Sequence, residues 1–182
     1  MKAADLPKSR VVLLLVDFIN PLNFPKAGEL APAAVEAARA TAALKKALRA
    51  DGVPAIYAND NFGSWRSDFP ALTRGLVAGR GPSAQMARLL RPARDDLSVL
   101  KPRHSAFYGT PLDILLDSIG AREIIITGVA ADICVQITAT DAFLRNFKIK
   151  VPSNCIASET EQAKEQALEH MRRVLRCDTQ PR

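Results

Sequence analysis

The chain has 182 residues, of which 48% are hydrophobic and 24% charged. This size and composition are typical of one globular domain, and we predict a single domain over residues 1–182. Lysine and arginine number 25 against 19 aspartates and glutamates, but no basic motif with interleaved aromatics accompanies the excess, so we expect no nucleic-acid partner. An anionic substrate and a merely solvated surface fit the excess equally well. The first apolar run is too short to cross a membrane and the three cysteines lack CxxC spacing, which predicts a cytoplasmic protein with reduced thiols, no membrane association and no thiolate metal site. No GxGxxG follows the first strand and no GxxxxGK(S/T) occurs, and we predict no cofactor.

Short apolar runs alternate with helical patterns along the chain. The runs are rich in β-branched residues and continuously hydrophobic, which is typical of strands buried on both faces of a parallel sheet. The predicted strands are residues 11–17, 53–59, 97–101, 123–129 and 147–152. The predicted helices are residues 31–50, 83–91, 110–119, 132–146 and 160–176. This alternation predicts a three-layer α/β/α domain with a mostly parallel central sheet and right-handed crossovers.

Residues 59–82 are the one long stretch without a clear period. Stretches of that length inside compact domains are usually functional, and this one carries Phe62, Trp65 and Phe69. We therefore expect an irregular binding loop there. Near the end of the chain, Thr160 precedes an acidic turn and is predicted to cap the last helix.

The predicted strand ends collect polar residues, and ligands bind beyond the carboxyl ends of strands in an open parallel sheet. Asp17 ends the first strand, Lys101 ends the third, and Cys134 follows the fourth where a helix begins. A helix start lowers the pKa of a thiol, and the thiolate is the nucleophilic form. Each residue also has an ordinary alternative: a buried core cysteine, a turn aspartate or a surface lysine. Together they indicate a coupled acid–base and nucleophile site.

Three motifs carry a resemblance to a known family that covers about residues 10–175. The chain resembles the isochorismatase-like cysteine hydrolases, which include nicotinamidases, N-carbamoylsarcosine amidohydrolase and ureidoacrylate and biuret hydrolases. The motifs are LVDFIN (15–20), LKPRHSAFYGTPLD (100–113) and, most specific, TGVAADICVQITATDAF (127–143).

The resemblance implies a Rossmann-like parallel sheet and a catalytic triad of Asp17, Lys101 and Cys134. It also implies a cis peptide bond between Val129 and Ala130. The backbone N–H groups of Ala130 and Cys134 would then form an oxyanion hole. A cysteine in this family favours hydrolysis of an amide or carbamoyl C–N bond through a thioester. Two alternatives stay open: a vinyl-ether hydrolase of the isochorismatase type, and a non-catalytic α/β binding protein.

The chain also departs from the family's patterns. No glutamine follows Asp17 at the second position, where many members have one. Nicotinamidases carry a metal-binding Asp-x-His after the second strand, but here the stretch is Asn59-Asp60-Asn61-Phe62, and the two histidines are His104 and His170. Without the imidazole ligand we expect no metal site of that kind.

Five residues near the strand ends are candidates for substrate binding. They are Phe18, Asn59, Trp65, Phe107 and Tyr108.

Three other charged residues are candidates for supporting roles. Arg66 and Arg103 could hold a substrate carboxylate, although exposed surface arginines are more common. Asp132, near a helix N-terminus, is expected to cap N–H groups and support the nucleophile turn. The resemblance further implies a small-molecule substrate and a homo-oligomer, a dimer or a tetramer.

Overall fold

The computed structural model describes residues 6–64, 66 and 68–182. Within those residues six parallel strands form one sheet in the order β3-β2-β1-β4-β5, with β6 also paired to β4. The strands are β1 (Val11–Val16), β2 (Ala55–Asp60), β3 (Leu97–Lys101), β4 (Glu123–Val129), β5 (Lys148–Lys150) and β6 (Ile156–Ala157).

The central strand β1 shows why the sheet is buried on both faces. Its six residues, VVLLLV, pair with β2 on one side and β4 on the other. Side chains alternate across a strand, so Val12, Leu14 and Val16 enter one core while Leu13 and Leu15 enter the other. A continuous apolar run is therefore required here, since neither face meets water.

Helices cover both faces and confirm the predicted three-layer α/β fold. The first three pack on the face that holds Leu13, and the last three pack on the face that holds Val12. No helix within the described ranges is long and apolar enough to cross a membrane. The helices are α1 (Ala27–Ala50), α2 (Phe69–Ala78), α3 (Gly81–Leu89), α4 (Leu112–Ile119), α5 (Gln136–Leu144) and α6 (Glu161–Arg173).

Two elements differ from the sequence prediction. Part of the stretch predicted as an irregular loop is helix α2, which begins beside Pro70, and proline is well tolerated in a first helical turn. The short strand β6 was not predicted, because two residues give no periodic signal.

The predicted cap of the last helix is confirmed, since the Thr160 hydroxyl accepts a hydrogen bond from the Ala163 N–H at 3.1 Å.

Candidate active site

Asp17 lies directly beyond β1, in a left-handed conformation with φ of 53°. The residue is 4% exposed, and its carboxylate is held from two sides. One carboxylate oxygen accepts a hydrogen bond from the Asp60 N–H at 2.8 Å. The other forms an ion pair with the Lys101 ammonium, with Nζ and Oδ2 2.7 Å apart. The carboxylate is thus fixed in place and keeps little contact with water.

Lys101 ends β3 and is fully buried. Its Nζ also donates to the Arg103 carbonyl at 3.2 Å and lies 3.9 Å from a carboxylate oxygen of Asp60. Burial lowers the pKa of Lys101, but the charges of Asp17, Cys134 and Asp60 outweigh burial and leave that pKa raised. Lys101 is therefore an ammonium at neutral pH.

Cys134 lies in a π-helical turn, Ala131–Val135, between β4 and α5. Its sulfur is 3.7 Å from the Lys101 Nζ and 3.7 Å from the His104 Nδ1. The three residues expected to form a triad therefore lie together. The peptide bond between Val129 and Ala130, at the entrance to this turn, is cis.

Gly128 allows the turn to approach β1. Its φ of +139° is a conformation that side chains disfavour, and a Cβ built there would lie 2.1 Å from the Val16 carbonyl oxygen. Only a glycine lets β4 pass this close to β1 immediately before the nucleophile turn. The close approach explains the glycine in the motif TGVAADICV.

The thiol behaves differently from the sequence prediction. The helix-start position predicted a lowered pKa, but burial, reinforced by the Asp17 carboxylate, raises the pKa of Cys134 to about 12. The Lys101 ammonium opposes this shift without cancelling it. Burial also raises the pKa of Asp17 against the opposing effect of Lys101. At rest the site holds a neutral thiol beside an Asp17–Lys101 ion pair.

A cavity of about 310 Å³ opens over Cys134. It combines acidic, amide and apolar side chains, with the sulfur at its wall. The lining residues are Asp17, Asn20, Asn23, Phe24, Leu30, Asp60, Phe62, His104, Val129, Ala130, Ile133, Cys134 and Glu159.

Four of the residues predicted to bind substrate do not line this cavity. Phe18 and Phe107 are 0% and 4% exposed and belong to the two cores. Asn59 is buried, and its amide accepts from the Ile19 N–H and donates to the Ile19 carbonyl. Tyr108 is 63% exposed on the surface.

The direction of each side chain decides these placements, and sequence position alone does not reveal it. Trp65, the fifth candidate, lies outside the described residues.

Several cavity residues were not predicted from the sequence, and Glu159 is the most informative of them. It follows the unpredicted strand β6, which pairs with β4 just before the nucleophile turn. Asp132 does not cap its helix as predicted; its carboxylate accepts a hydrogen bond from the Ser158 hydroxyl at 2.5 Å. The contact ties the segment after β6 to the turn that carries Cys134.

The residues after β2 do not suit a metal ion. Phe62 stands where an imidazole would be needed, and the nearest cation to Asp60 is the Lys101 ammonium. No cluster of three or more possible metal ligands occurs in the part of the chain that the structure describes.

A second and larger cavity, of about 420 Å³, lies near the amino ends of β2 and β3. Four of its charged groups are paired with one another, Lys45 with Asp96 and Arg49 with Asp95. It contains no cysteine or histidine. The smaller cavity is therefore the candidate active site.

Comparison with known proteins agrees with this geometry. A family model described as an isochorismatase domain matches residues 11–179. The chain belongs to the isochorismatase family. The uncharacterized isochorismatase family protein YaaI of Bacillus subtilis is 37% identical over 170 residues, which are 93% of each chain. The protein is accordingly a hydrolase of the isochorismatase family.

Other relatives have named activities. Ureidoacrylate amidohydrolase RutB of Klebsiella pneumoniae is 38% identical over 78 residues, which are 43% of this chain and 33% of that protein. The N-carbamoylsarcosine amidase of Thermoplasma acidophilum superposes with a TM-score of 0.66 at 26% identity, covering 95% of this chain and 96% of its own. Nicotinamidase PncA of Bacillus subtilis superposes with a TM-score of 0.74 at 24% identity, covering 94% of this chain and 100% of its own, and shares the fold.

Proposed function

We propose that this isochorismatase-family hydrolase cleaves the C–N bond of a small amide or carbamoyl compound through a thioester on Cys134. The observation that carries the proposal is the contact of the Cys134 sulfur with a buried Asp17–Lys101 ion pair at the wall of a cavity. The names of RutB and of the N-carbamoylsarcosine amidase support the same bond type.

Asp17 acts as the general base in the first step. Its carboxylate and the Cys134 sulfur lie 2.7 and 3.7 Å from the same Lys101 Nζ, which places the base near the thiol. Because the resting thiol is protonated, its proton passes to Asp17 as the sulfur attacks the carbonyl carbon. The C–S bond forms, and the carbonyl electron pair moves onto the oxygen. Lys101 keeps its positive charge throughout and stabilises the sulfur as the proton leaves.

The C–N bond then breaks. Asp17 returns its proton to the leaving nitrogen, ammonia departs and a thioester remains on Cys134. A water molecule gives a proton to Asp17 and attacks the thioester carbon. The C–S bond breaks, the product acid leaves, and the sulfur regains its proton from Asp17. Each proton taken up by Asp17 is released within the same half-reaction, so the cycle closes.

The oxyanion is held by the backbone N–H groups of Ala130 and Cys134. Ala130 lines the cavity beside the nucleophile. None of the hydrogen bonds among the described residues uses the Ala130 N–H, which leaves it available to a ligand. One such donor contributes about 3 kcal/mol to stabilising a transition state.

Replacing the nucleophile tests the proposal. Ammonia release would be measured with nicotinamide, N-carbamoylsarcosine, ureidoacrylate, biuret, maleamate and oxamate. Wild type would be compared with Cys134→Ala and with Cys177→Ala, a buried cysteine that does not line the cavity. We expect the first variant to lose at least about 10³-fold in turnover, while the second keeps activity.

Three outcomes would contradict the proposal. Undiminished ammonia release by a folded Cys134→Ala protein would exclude the covalent route. Turnover of isochorismate without ammonia from any amide would identify a vinyl-ether hydrolase, and inactivity on every compound would favour a binding protein.

Some expectations stay predictions. A single domain over residues 1–182 and a cytoplasmic location are two of them. The homo-oligomer, a dimer or tetramer, is testable by light scattering on the purified chain.

A further inference from the structure

The charges around the candidate nucleophile are mostly negative. Asp17, Asp60 and Glu159 all line the cavity. The neighbouring Lys101 ammonium is already paired with Asp17 and also donates to the Arg103 carbonyl. Three carboxylates thus face one ammonium that has little capacity for another anion.

No lysine or arginine is among the described residues that line the cavity. Arg66 and Arg103, considered from the sequence as carboxylate ligands, are exposed and lie outside that lining. Besides His104, whose Nδ1 already contacts the Cys134 sulfur at 3.7 Å, an anion in the cavity would meet carboxylates and no lysine or arginine among the described lining residues. Like charges brought together out of water repel strongly.

Glu159 is held at the cavity from both sides. Before it, Ala157 pairs with Val129 in the β6–β4 ladder, and the Ser158 hydroxyl donates to Asp132. After it, Thr160 caps helix α6. The Glu159 side chain itself forms no hydrogen bond or ion pair with any other described residue. A carboxylate that is anchored by its backbone and lacks a protein partner is well suited to accept a hydrogen bond from a ligand.

We propose that the cavity selects uncharged amides that carry an additional hydrogen-bond donor, rejects amides that carry a carboxylate, and uses Glu159 as the specificity-determining residue. The apolar part of the lining, including Phe24, Phe62 and Ile133, accommodates the uncharged body of such a substrate. This inference rests on the proposed function, because it assigns the substrate class of the same site.

Matched substrates test the selection. Maleamide and maleamate differ by an amide in place of a carboxylate, and ammonia release would be measured for both. For wild type we expect kcat/KM to favour the neutral diamide by about tenfold or more, with the preference shrinking as salt screens the charges. Glu159→Gln should reduce the preference at least about fivefold, through faster turnover of the anion. Glu169→Gln removes the same charge from an exposed position on α6 outside the cavity and should leave the preference unchanged.

Alkylation of Cys134 gives a readout that does not need turnover. Iodoacetamide and iodoacetate are nearly equal in size and differ in charge, and their rates at Cys134 can be followed by peptide mass spectrometry. The rate of each reagent at Cys134 is divided by the rate of the same reagent with N-acetylcysteine. We expect the normalised ratio to favour iodoacetamide by about tenfold at low salt, and Glu159→Gln, unlike Glu169→Gln, to lower it.

The two experiments separate the inference from the function on which it rests. Cys134-dependent turnover that prefers maleamate would overturn the inference and leave the amidase intact. If no amide is hydrolysed but the alkylation ratio depends on Glu159, the amidase proposal would be refuted and the charge selection supported. A normalised ratio near one would overturn the inference whether or not any amide is hydrolysed.

Discussion

Removing the Lys101 ammonium should destabilise the fold in a way that depends on pH. Lys101→Met keeps a long side chain but leaves the Asp17 carboxylate buried without its ion-pair partner. Breaking a buried ion pair by removing one partner costs about 3–5 kcal/mol. The loss is limited by protonation, because Asp17 can escape the penalty by taking up a proton as the chain folds.

The sign of the pH dependence follows from the raised pKa of Asp17. Burial raises this pKa already in the wild type, and removal of the ammonium raises it further. A carboxyl group whose folded pKa lies above its unfolded value, about 3.9, loses stability as pH rises from the unfolded towards the folded pKa. The loss grows by up to about 1.4 kcal/mol per pH unit. The wild type loses less between pH 5 and 8, because Lys101, whose own pKa is raised, stays charged there and opposes the effect of burial on Asp17.

Urea unfolding followed by far-ultraviolet circular dichroism would measure the effect at pH 5 and pH 8. We expect Lys101→Met to lose little at pH 5 and about 3–5 kcal/mol at pH 8. Adding Asp17→Asn should restore most of the stability at pH 8, since it removes the unpaired charge. Lys148→Met breaks an ion pair whose lysine side chain is 70% exposed and should cost under about 1 kcal/mol at either pH.

An equal loss at both pH values would refute the reasoning, because a packing defect does not titrate. Failure of the double variant to recover would refute it as well. In that case the lost methylene packing or the Arg103 hydrogen bond, not the Asp17 charge, would explain the destabilisation.

Two further predictions concern the turn that carries the nucleophile. Gly128→Ala places a Cβ 2.1 Å from the Val16 carbonyl oxygen and should lower the free energy of unfolding by about 3 kcal/mol or more. Gly75→Ala is the control, in an exposed helical position with nothing near the new Cβ, and should raise the free energy of unfolding by about 0.5–1 kcal/mol. Equal urea midpoints for the two variants would contradict both expectations. Because the pKa of Cys134 is raised to about 12, its alkylation by iodoacetamide should still rise about tenfold per pH unit at pH 9.5. A plateau near pH 8.5 would show an ordinary thiol instead.

The strands and the clustering of Asp17, Lys101 and Cys134 were predictable because their signals are local. Each strand is an unbroken apolar run, and the runs occur in the chain at nearly the bounds seen in the structure, as at residues 11–17 and Val11–Val16. Asp17, Lys101 and Cys134 each lie at or after a strand end, and parallel strands bring those ends to one edge. Connectivity and hydrophobic pattern suffice for such a prediction.

The pocket walls and the ionisation of the thiol were not predictable in this way. Phe18 and Phe107 are adjacent in sequence to the site yet turn into the cores. Glu159 lies 25 positions after Cys134 in the chain and reaches the cavity through a two-residue strand that no periodicity reveals. The helix-start argument gave the wrong direction for the pKa of Cys134, because burial and Asp17 outweigh it.

The amino-acid sequence by itself therefore determined the layers of the fold, the order of its strands along the chain and the edge of the sheet where Asp17, Lys101 and Cys134 meet. Those properties depend on hydrophobic periodicity and chain order, which a sequence contains explicitly. The tertiary structure decided which side chains face the cavity, which charges lie within a few ångströms of the sulfur, and which proton the resting thiol keeps. Those properties depend on distance and burial, and both arise only when segments far apart in the chain are packed together.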